Sequence, residues 1–380
     1  MRMDSLETTP KPWDTLRQVA RPRLWPVFAA IGLLAAACGP GACAAPAGGS
    51  PSASPSTPAA TSGPASPSAP ASAASSPAIA YPEGPIRIVV PFAAGGPTDT
   101  VTRLVAEPMS ATLGQEVIVE NVAGAGGTLA AGQVATAAPD GYTVLMHHIG
   151  MSTAPSLYPD LPYDPLVDFK TIGLVTEVPM TIVGRKSFEP TTLQELVDYV
   201  KANGTAVRYA NAGIGAASHL CGLLFQSAVG AKVTEVPYDG TGPAMEDLLG
   251  DQDVDFMCDQ TTNTTTQIKA GTVKAYAITS PERNEALPDV PTTTEGGLPD
   301  VAVGVWHGLY VPKDTPDEIV GALTAALKGA LTDANVIAKF AELGTVPVPE
   351  DQATPEAHTA KLQAQIELWK PIIEAAGVTP

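Results

Sequence analysis

Positive charge is scarce in this chain of 380 residues: 21 Lys and Arg stand against 39 Asp and Glu, a formal net charge of −18. So acidic a surface repels phosphate backbones and anionic lipid headgroups, which excludes nucleic acid and a charged membrane face as partners. Cysteine is equally sparse. Beyond residue 80 only Cys221 and Cys258 occur, too few for a disulfide scaffold and without the close spacing of a zinc or redox pair. The one long apolar run, Leu24 to Ala37, is too short to span a bilayer. The phosphate-loop, nucleophile-elbow and zinc-protease motifs are all missing, and with them the reactions they support.

What is present begins with an address. Arg17, Arg21 and Arg23 precede the run Leu24 to Ala37, which ends in small residues, as a secretory signal does. Cys38 follows Ala35-Ala36-Ala37 directly, as in a bacterial lipoprotein cleavage box, although Ala35 stands where such a box prefers Leu. The reading is a signal peptide over residues 1–37 and a lipid-anchored Cys38, with ordinary cleavage near Ala37 to Ala45 as the alternative. From Ala44 to Ala80 the chain is dominated by Pro, Ala, Ser, Gly and Thr and carries no charge. Such a segment buries too little surface to offset its ordering entropy, so residues 38–80 read as anchor and disordered tether. The protein is expected outside the cell membrane, held to it by lipid.

From Tyr81 onward strands and helices alternate. Ile86 to Phe92 is a continuous apolar run, as for a strand buried on both faces. Thr98 to Leu113 has helical spacing, with a kink expected at Pro108. Further strands are expected at Glu116 to Glu120, Tyr142 to Met146, Thr171 to Val175 and Met180 to Val183, with a helix at Thr128 to Ala138. A second unit opens at the capping box Thr192-Leu193-Gln194-Glu195. It continues through strands near Val207, Val233, Val254 and Val273, before a strand at Val301 to Val311 leads into three closing helices. This alternation predicts an α/β fold with parallel-rich sheets and helices on both faces. The chain crosses between its two halves twice, giving lobe 1 over 81–185 plus 303–380 and lobe 2 over 186–302.

In open α/β sheets ligands bind on the loops where strands lead into helices. The stretch "VVPFAAGGPTDT" is such a loop, and its glycines imply that something comes close to the backbone. Phe92 to Asp99, His148 to Ser156, Asn211 to His219, Tyr238 to Pro243 and Cys258 to Thr261 are the candidates. Each offers backbone N–H groups at a helix start, which can hold a carboxylate without lysine or arginine. The plainer reading of any one such loop is that glycine and threonine only cap a helix. Asp99 fits that reading too, as favourable negative charge in a first turn. "GIGAAS" misses the dinucleotide fingerprint at its third glycine, and no cofactor is expected. His147 and His148 are neighbours on a strand, so their side chains point to opposite faces, and no metal site is expected. No nucleophile with a nearby base can be named, so no catalytic residue is assigned. Trp306 reads as packing at the interlobe crossover. Cys221, on a helix, and Cys258, at a strand end, fall in one lobe of an oxidising compartment, and whether they pair is left open.

These residues also carry a resemblance. "PIRIVVPFAAGGPTDTVTRLVAEPM", "LGQEVIVENVAGAGGTLAAGQVATAAPDGYTVLM", "PSLYPDLPYDPLVDF", "YANAGIGAASHL" and "VPYDGTGPAMEDLLGDQDVDFM" resemble the tripartite tricarboxylate transporter substrate-binding proteins, the Bug or TctC-like family, over Tyr81 to Val378. The resemblance implies a two-lobed, type II periplasmic-binding-protein fold with its ligand in the cleft. It further implies a monomeric, non-enzymatic receptor that delivers a small carboxylate to membrane permease subunits; a sensor subunit feeding a kinase is the alternative. In the family the carboxylate is held mainly by backbone groups and ordered water. Carried over, this gives Gly96, Thr98 and Asp99 as one clamp and Ala212, Gly215, Ala216 and Ser218 as the other. Tyr238 and Gly240 would line the second lobe and Asp259 would meet the far end of the ligand. Phe92, Gly95, Pro97, His148, Ser152 and His219, on the same loops, complete the expected set. The sequence departs from the family around His147 to Thr153 and after Asp259, both at the ligand-specific end.

Overall fold

The computed structural model describes residues 80–376. The expected signal peptide, Cys38 and the tether up to residue 79 lie outside the described residues.

Strand β1 (Ile86–Val90) has both faces covered, which its run of β-branched residues suits. It lies between β2 (Val117–Asn121) and β3 (Thr143–His148), parallel to both. β4 (Phe169–Arg185) and β9 (Gly304–Pro312) follow in the sheet, β9 running antiparallel to both β3 and β4. Beyond them come β5 (Arg208–Asn211), β6 (Thr234–Pro237), β7 (Phe256–Gln260) and β8 (Val273–Ile278). The order is β2-β1-β3-β9-β4-β7-β5-β6, with β8 on the other edge of β4. The helices are α1 (Pro97–Leu113), α2 (Thr128–Ala135), α3 (Gly150–Leu157), α4 (Leu193–Asn203), α5 (Ala217–Val229), α6 (Thr241–Leu249), α7 (Thr261–Ala270), α8 (Asp317–Leu331), α9 (Ala334–Glu342) and α10 (Pro355–Ala376).

The two strands expected at Thr171 and Met180 are one. β4 runs for 17 residues and changes partners midway. Phe169 to Pro179 pairs with β9, whereas Met180 to Arg185 pairs with β7 and β8. Pro179, which has no N–H, falls at the changeover, where its missing donor costs no place in the second ladder. Thr279 staples the same point: its hydroxyl donates to Val303 O at 2.7 Å and its N–H to Met180 O at 2.8 Å. Because these crossover strands are antiparallel, the sheet is mixed, with parallel pairing kept to its two flanks. α1 runs through Pro108 as a single helix, and β9 begins at Gly304 rather than Val301. The capping box at α4 is only half formed: Thr192 Oγ1 accepts from Glu195 N, but the Glu195 carboxylate accepts from Thr191 instead.

α10 bridges both halves. Its Leu362 shares a core with Trp306 and Tyr310 of β9, and its Trp369, Ile372 and Ile373 line a groove with Leu220 and Leu224 of α5. Trp306 is buried packing, as expected. Among the described residues no helix is long and apolar enough to cross a membrane.

Cys221 of α5 and Cys258 of β7 are joined in a disulfide, with Cα atoms 6.1 Å apart, inside the range a relaxed bridge spans. The bond closes a loop with a sequence separation of 37 residues. By the chain-entropy argument such a crosslink is worth about 4 kcal/mol. The variant Cys221→Ala/Cys258→Ala should therefore unfold at a clearly lower denaturant concentration than the parent. Coincident midpoints would mean that the bridge constrains nothing.

Candidate functional site

Four helices start around one small cavity: α1 after β1, α5 after β5, α6 after β6 and α7 after β7. Their N-cap residues are Gly96, Ala216, Gly240 and Gln260, and none makes a side-chain cap. Glycine is a mediocre cap, and alanine and glutamine lack the short oxygen that reaches the first turn. Thr192 caps α4 and Asp333 caps α9 with their side chains, whereas α2, α3 and α8 also lack a side-chain cap. What sets these four starts apart is that their first-turn N–H groups and the positive ends of their helix dipoles converge on one cavity.

The cavity is small and partly open, with about 260 Å³ of space between atoms when the adjoining solvent is included, and is lined by Phe92, Pro97, Thr98, His148, Ala212, Ala216, Ala217, Ser218, Thr241, Asp259 and Gln260. The structure thus brings together eight of the expected residues. It adds three that the sequence reading left out. Thr241 and Gln260 lay within loops already singled out, and their place at a helix start was the available clue. No Lys or Arg is among the lining residues.

The remaining expected residues stand behind or beside the cavity. Asp99 Oδ2 accepts from Gly95 N at 3.0 Å and from Arg103 Nε at 2.9 Å, and its Oδ1 accepts from Asn121 Nδ2 at 3.0 Å. Burial alone would raise its pKa, but Arg103, the Gly95 N–H and the Asn121 amide together hold it below the usual range. Asp99 thus ties the Gly95 turn to the body of the lobe. Ser152 donates to Ile149 O within α3. His219 Nδ1 accepts from Gly215 N at 3.2 Å. Burial lowers the His219 pKa, with Glu235 pulling the other way. Tyr238 donates to Asp247 at 2.6 Å and faces an outer groove.

The glycines prove to face the opposite lobe. A Cβ on Gly126, where φ is +61°, would stand 2.0 Å from Ile214 O, and one on Gly242 would stand 3.0 Å from Gly96 N. Gly96 itself has room, since its Cβ would meet Gly242 N only at 3.4 Å. Ala93 N–H donates to Asp239 O at 2.9 Å along the same seam. Backbone meets backbone here, which is why side chains are absent.

Two polar features face the donors. His148 is stacked on Phe92, ring centroids 4.7 Å apart, and its Nδ1 accepts from Gly150 N at 2.9 Å, which leaves the proton on Nε2. Burial, with His147 and His307 nearby, keeps this ring neutral. Burial likewise pushes His307, whose Nε2 lies 3.4 Å from Thr98 Oγ1, down to about 3. On the far wall Asp259 Oδ1 accepts from the Thr241 hydroxyl and from Gln260 N, each at 2.8 Å, and Oδ2 accepts from Asn263 at 2.6 Å. Gln260 Oε1 is buried with no hydrogen-bond partner. The cavity therefore has a donor side, formed by helix starts and His148, and an acceptor side, formed by Asp259 and Gln260. Among the described residues no group of His, Cys, Asp or Glu is placed to hold a metal ion.

Burial raises the Asp259 pKa to about 6, against the pull of Asn263, Thr241 and Gln260. The folded protein then binds this proton more tightly than the unfolded chain does. The resulting stability, of order 2–3 kcal/mol, is present below about pH 4 and is lost as pH rises through about 6. The difference in melting temperature between the parent and Asp259→Asn should accordingly shift against the parent from pH 4 to 6.5 and level off above. A difference independent of pH would show that Asp259 titrates normally.

With this geometry the comparisons agree. A model of the tripartite tricarboxylate transporter family receptor matches residues 101–378. A UPF0065 protein of Agrobacterium vitis is 57% identical over 298 residues, covering 78% of this chain and 86% of its own. Protein BugT of Bordetella pertussis is 34% identical, covering 79% and 91%. Among solved structures, the periplasmic binding protein BugD is 51% identical, covering 79% of this chain and all of its own with a TM-score of 0.77. MatC of Rhodopseudomonas palustris, solved with bound malate, is 42% identical, covering 77% and 100% with a TM-score of 0.75. A second R. palustris protein, solved with adipate, is 29% identical, covering 79% and 100% with a TM-score of 0.74. These matches fix the fold as that of the periplasmic binding proteins, and the family they define is one of solute-binding receptors. The chain belongs to the TctC family of tripartite tricarboxylate transporter receptors.

Proposed function

We propose that this receptor captures a small carboxylate bearing a second hydrogen-bonding group, a hydroxyl or an amine, and delivers it to the membrane subunits of a tripartite tricarboxylate-type transporter. The observation that carries the reading is the meeting of four uncapped helix starts at a cavity without a cation. A carboxylate accepts from such N–H groups, and charge-assisted bonds of this kind are worth roughly 1.5–3 kcal/mol each. Thr98, Ser218 and the Nε2–H of His148 add donors or polar contacts on the same side. The acceptor side calls for the opposite chemistry. A second carboxylate set against Asp259 and the unpartnered Gln260 Oε1 would be repelled, whereas a hydroxyl or amine would satisfy them. MatC was solved with malate, a dicarboxylate that carries a hydroxyl, and its R. palustris relative with adipate, a dicarboxylate without one. A hydroxy diacid fits this reading with its second carboxylate turned away from Asp259.

In this reading the receptor has lobes at 81–185 plus 303–380 and at 186–302, closing on the ligand, and is exported and held outside the cell membrane through Cys38. A thermal-shift and calorimetric screen of mono-, di- and tricarboxylates tests the ligand class, since a ligand bound only by the folded form raises the melting temperature. Malate should bind at least tenfold more tightly than succinate, because a site built for a hydroxyl is left with unpaired acceptors by the analogue without one. Equal affinities would remove Asp259 and Gln260 from the contact set, and silence from every carboxylate would remove the function.

A further inference from the structure

Two hydroxyl groups beside the cavity, on Tyr158 and Thr153, lie outside the site described above. Tyr158 follows α3, and its Oη is 2.9 Å from Ile214 O and 3.0 Å from Ala125 O. Thr153, within α3, has its Oγ1 3.1 Å from Gly215 O and 3.2 Å from Gly150 O. Each hydroxyl has one proton and two carbonyls to give it to. In both cases one carbonyl belongs to the sheet half that holds β1 and β3, the side of the hydroxyl itself. The other belongs to the loop between β5 and α5, across the seam. Neither side chain lines the cavity.

We propose that Tyr158 and Thr153 form a two-position hydroxyl latch, which sets how readily the lobes close without touching the ligand. The inference rests on the receptor reading only for the identity of the ligand. With the lobes together, the protons can bridge to Ile214 O and Gly215 O. When the lobes part, each proton turns to the carbonyl on its own side, so no donor is orphaned and opening gives up only the bond across the seam. The backbone is shaped for this exchange. Gly213 and Gly215 have φ of +92° and +84°, which turn the carbonyls of the loop outward. Gly126 leaves the gap that Ile214 O fills. A latch of this kind acts on the closed-to-open ratio, and apparent affinity scales with the fraction of closure-competent receptor. A net hydrogen bond is worth roughly threefold to tenfold in such a ratio.

The test uses Tyr158→Phe, Thr153→Val and their combination in the full chain. Hydrogen exchange at the Ala93 amide reports closure directly, because its acceptor, Asp239 O, lies across the seam. In the unliganded protein each single variant should speed exchange at Ala93 threefold to tenfold while leaving the core amides of β1 unchanged. Dissociation constants for malate and for adipate, where both bind, should rise by one common factor. Exchange at Ala93 that stays at the parent rate overturns the latch, as does a loss confined to one ligand or a matching acceleration in β1. Should no carboxylate bind the parent, the receptor reading falls, yet the exchange measurement still decides the latch.

Discussion

Everything at the cavity depends on a single constraint: backbone N–H groups at a helix start must find an acceptor. At α4 and α9 a side chain meets it, that of Thr192 and of Asp333. At α1, α5, α6 and α7 the N-cap positions hold glycine, alanine, glycine and glutamine, which leave the requirement unmet. Four such starts converge on one cavity, which suits an anion. In the receptor proposed above, this lets a protein with a net charge of −18 hold a negative ligand with no lysine or arginine in the lining.

The two aspartates of the site show how much position decides. Asp99 and Asp259 both sit at helix starts, yet one is held ionised and the other is pushed toward protonation. Asp99 is buried too, but the Arg103 guanidinium and the Gly95 and Asn121 N–H groups beside it keep it charged, and it braces the Gly95 turn. Asp259 has only neutral donors and no contact with water. The same residue type thus serves as scaffold in one lobe and as a ligand-facing acceptor in the other. The Cys221–Cys258 bridge sets that acceptor firmly against α5, because Cys258 directly precedes Asp259 and Cys221 lies one helical turn beyond Ser218.

Much of this was legible in the sequence, for physical reasons. β1 announced itself by a fully apolar run, and the loop after it by two glycines and a Thr-Asp pair at a helix start. Phe92, Thr98, Ala216, Ser218 and Asp259 fell where expected because strand-to-helix loops share one face of the sheet. β4 was misread because Pro179 interrupts its apolar pattern, and the partner exchange that makes the proline harmless is a tertiary fact. Gly95 and Gly96 were taken to mark a close approach, yet a side chain at Gly96 would meet only ordinary contact and Gly95 serves its φ of +79°. The tight approach is at Gly126 and Gly242, to backbone of the other half, which no local pattern encodes. Asp99, carried over from the family, bonds Gly95, Arg103 and Asn121, and Ser152, taken from its loop, bonds Ile149 O.

The changeover in β4 has a mechanical consequence. Both halves of the sheet hang on one strand, so rotating one against the other is a twist of that strand about Pro179. A proline carries no N–H, so the joint is held by the bonds between Met180 and Thr279 and not by a ladder bond at the proline nitrogen. The Thr279 staple, held by side chain as well as backbone, keeps the second crossing in step without stiffening it into a ladder. Such a joint resists sliding and stretching while yielding to torsion. The helix starts, at the far end of the lever, can therefore travel far for a small angular change at its fulcrum.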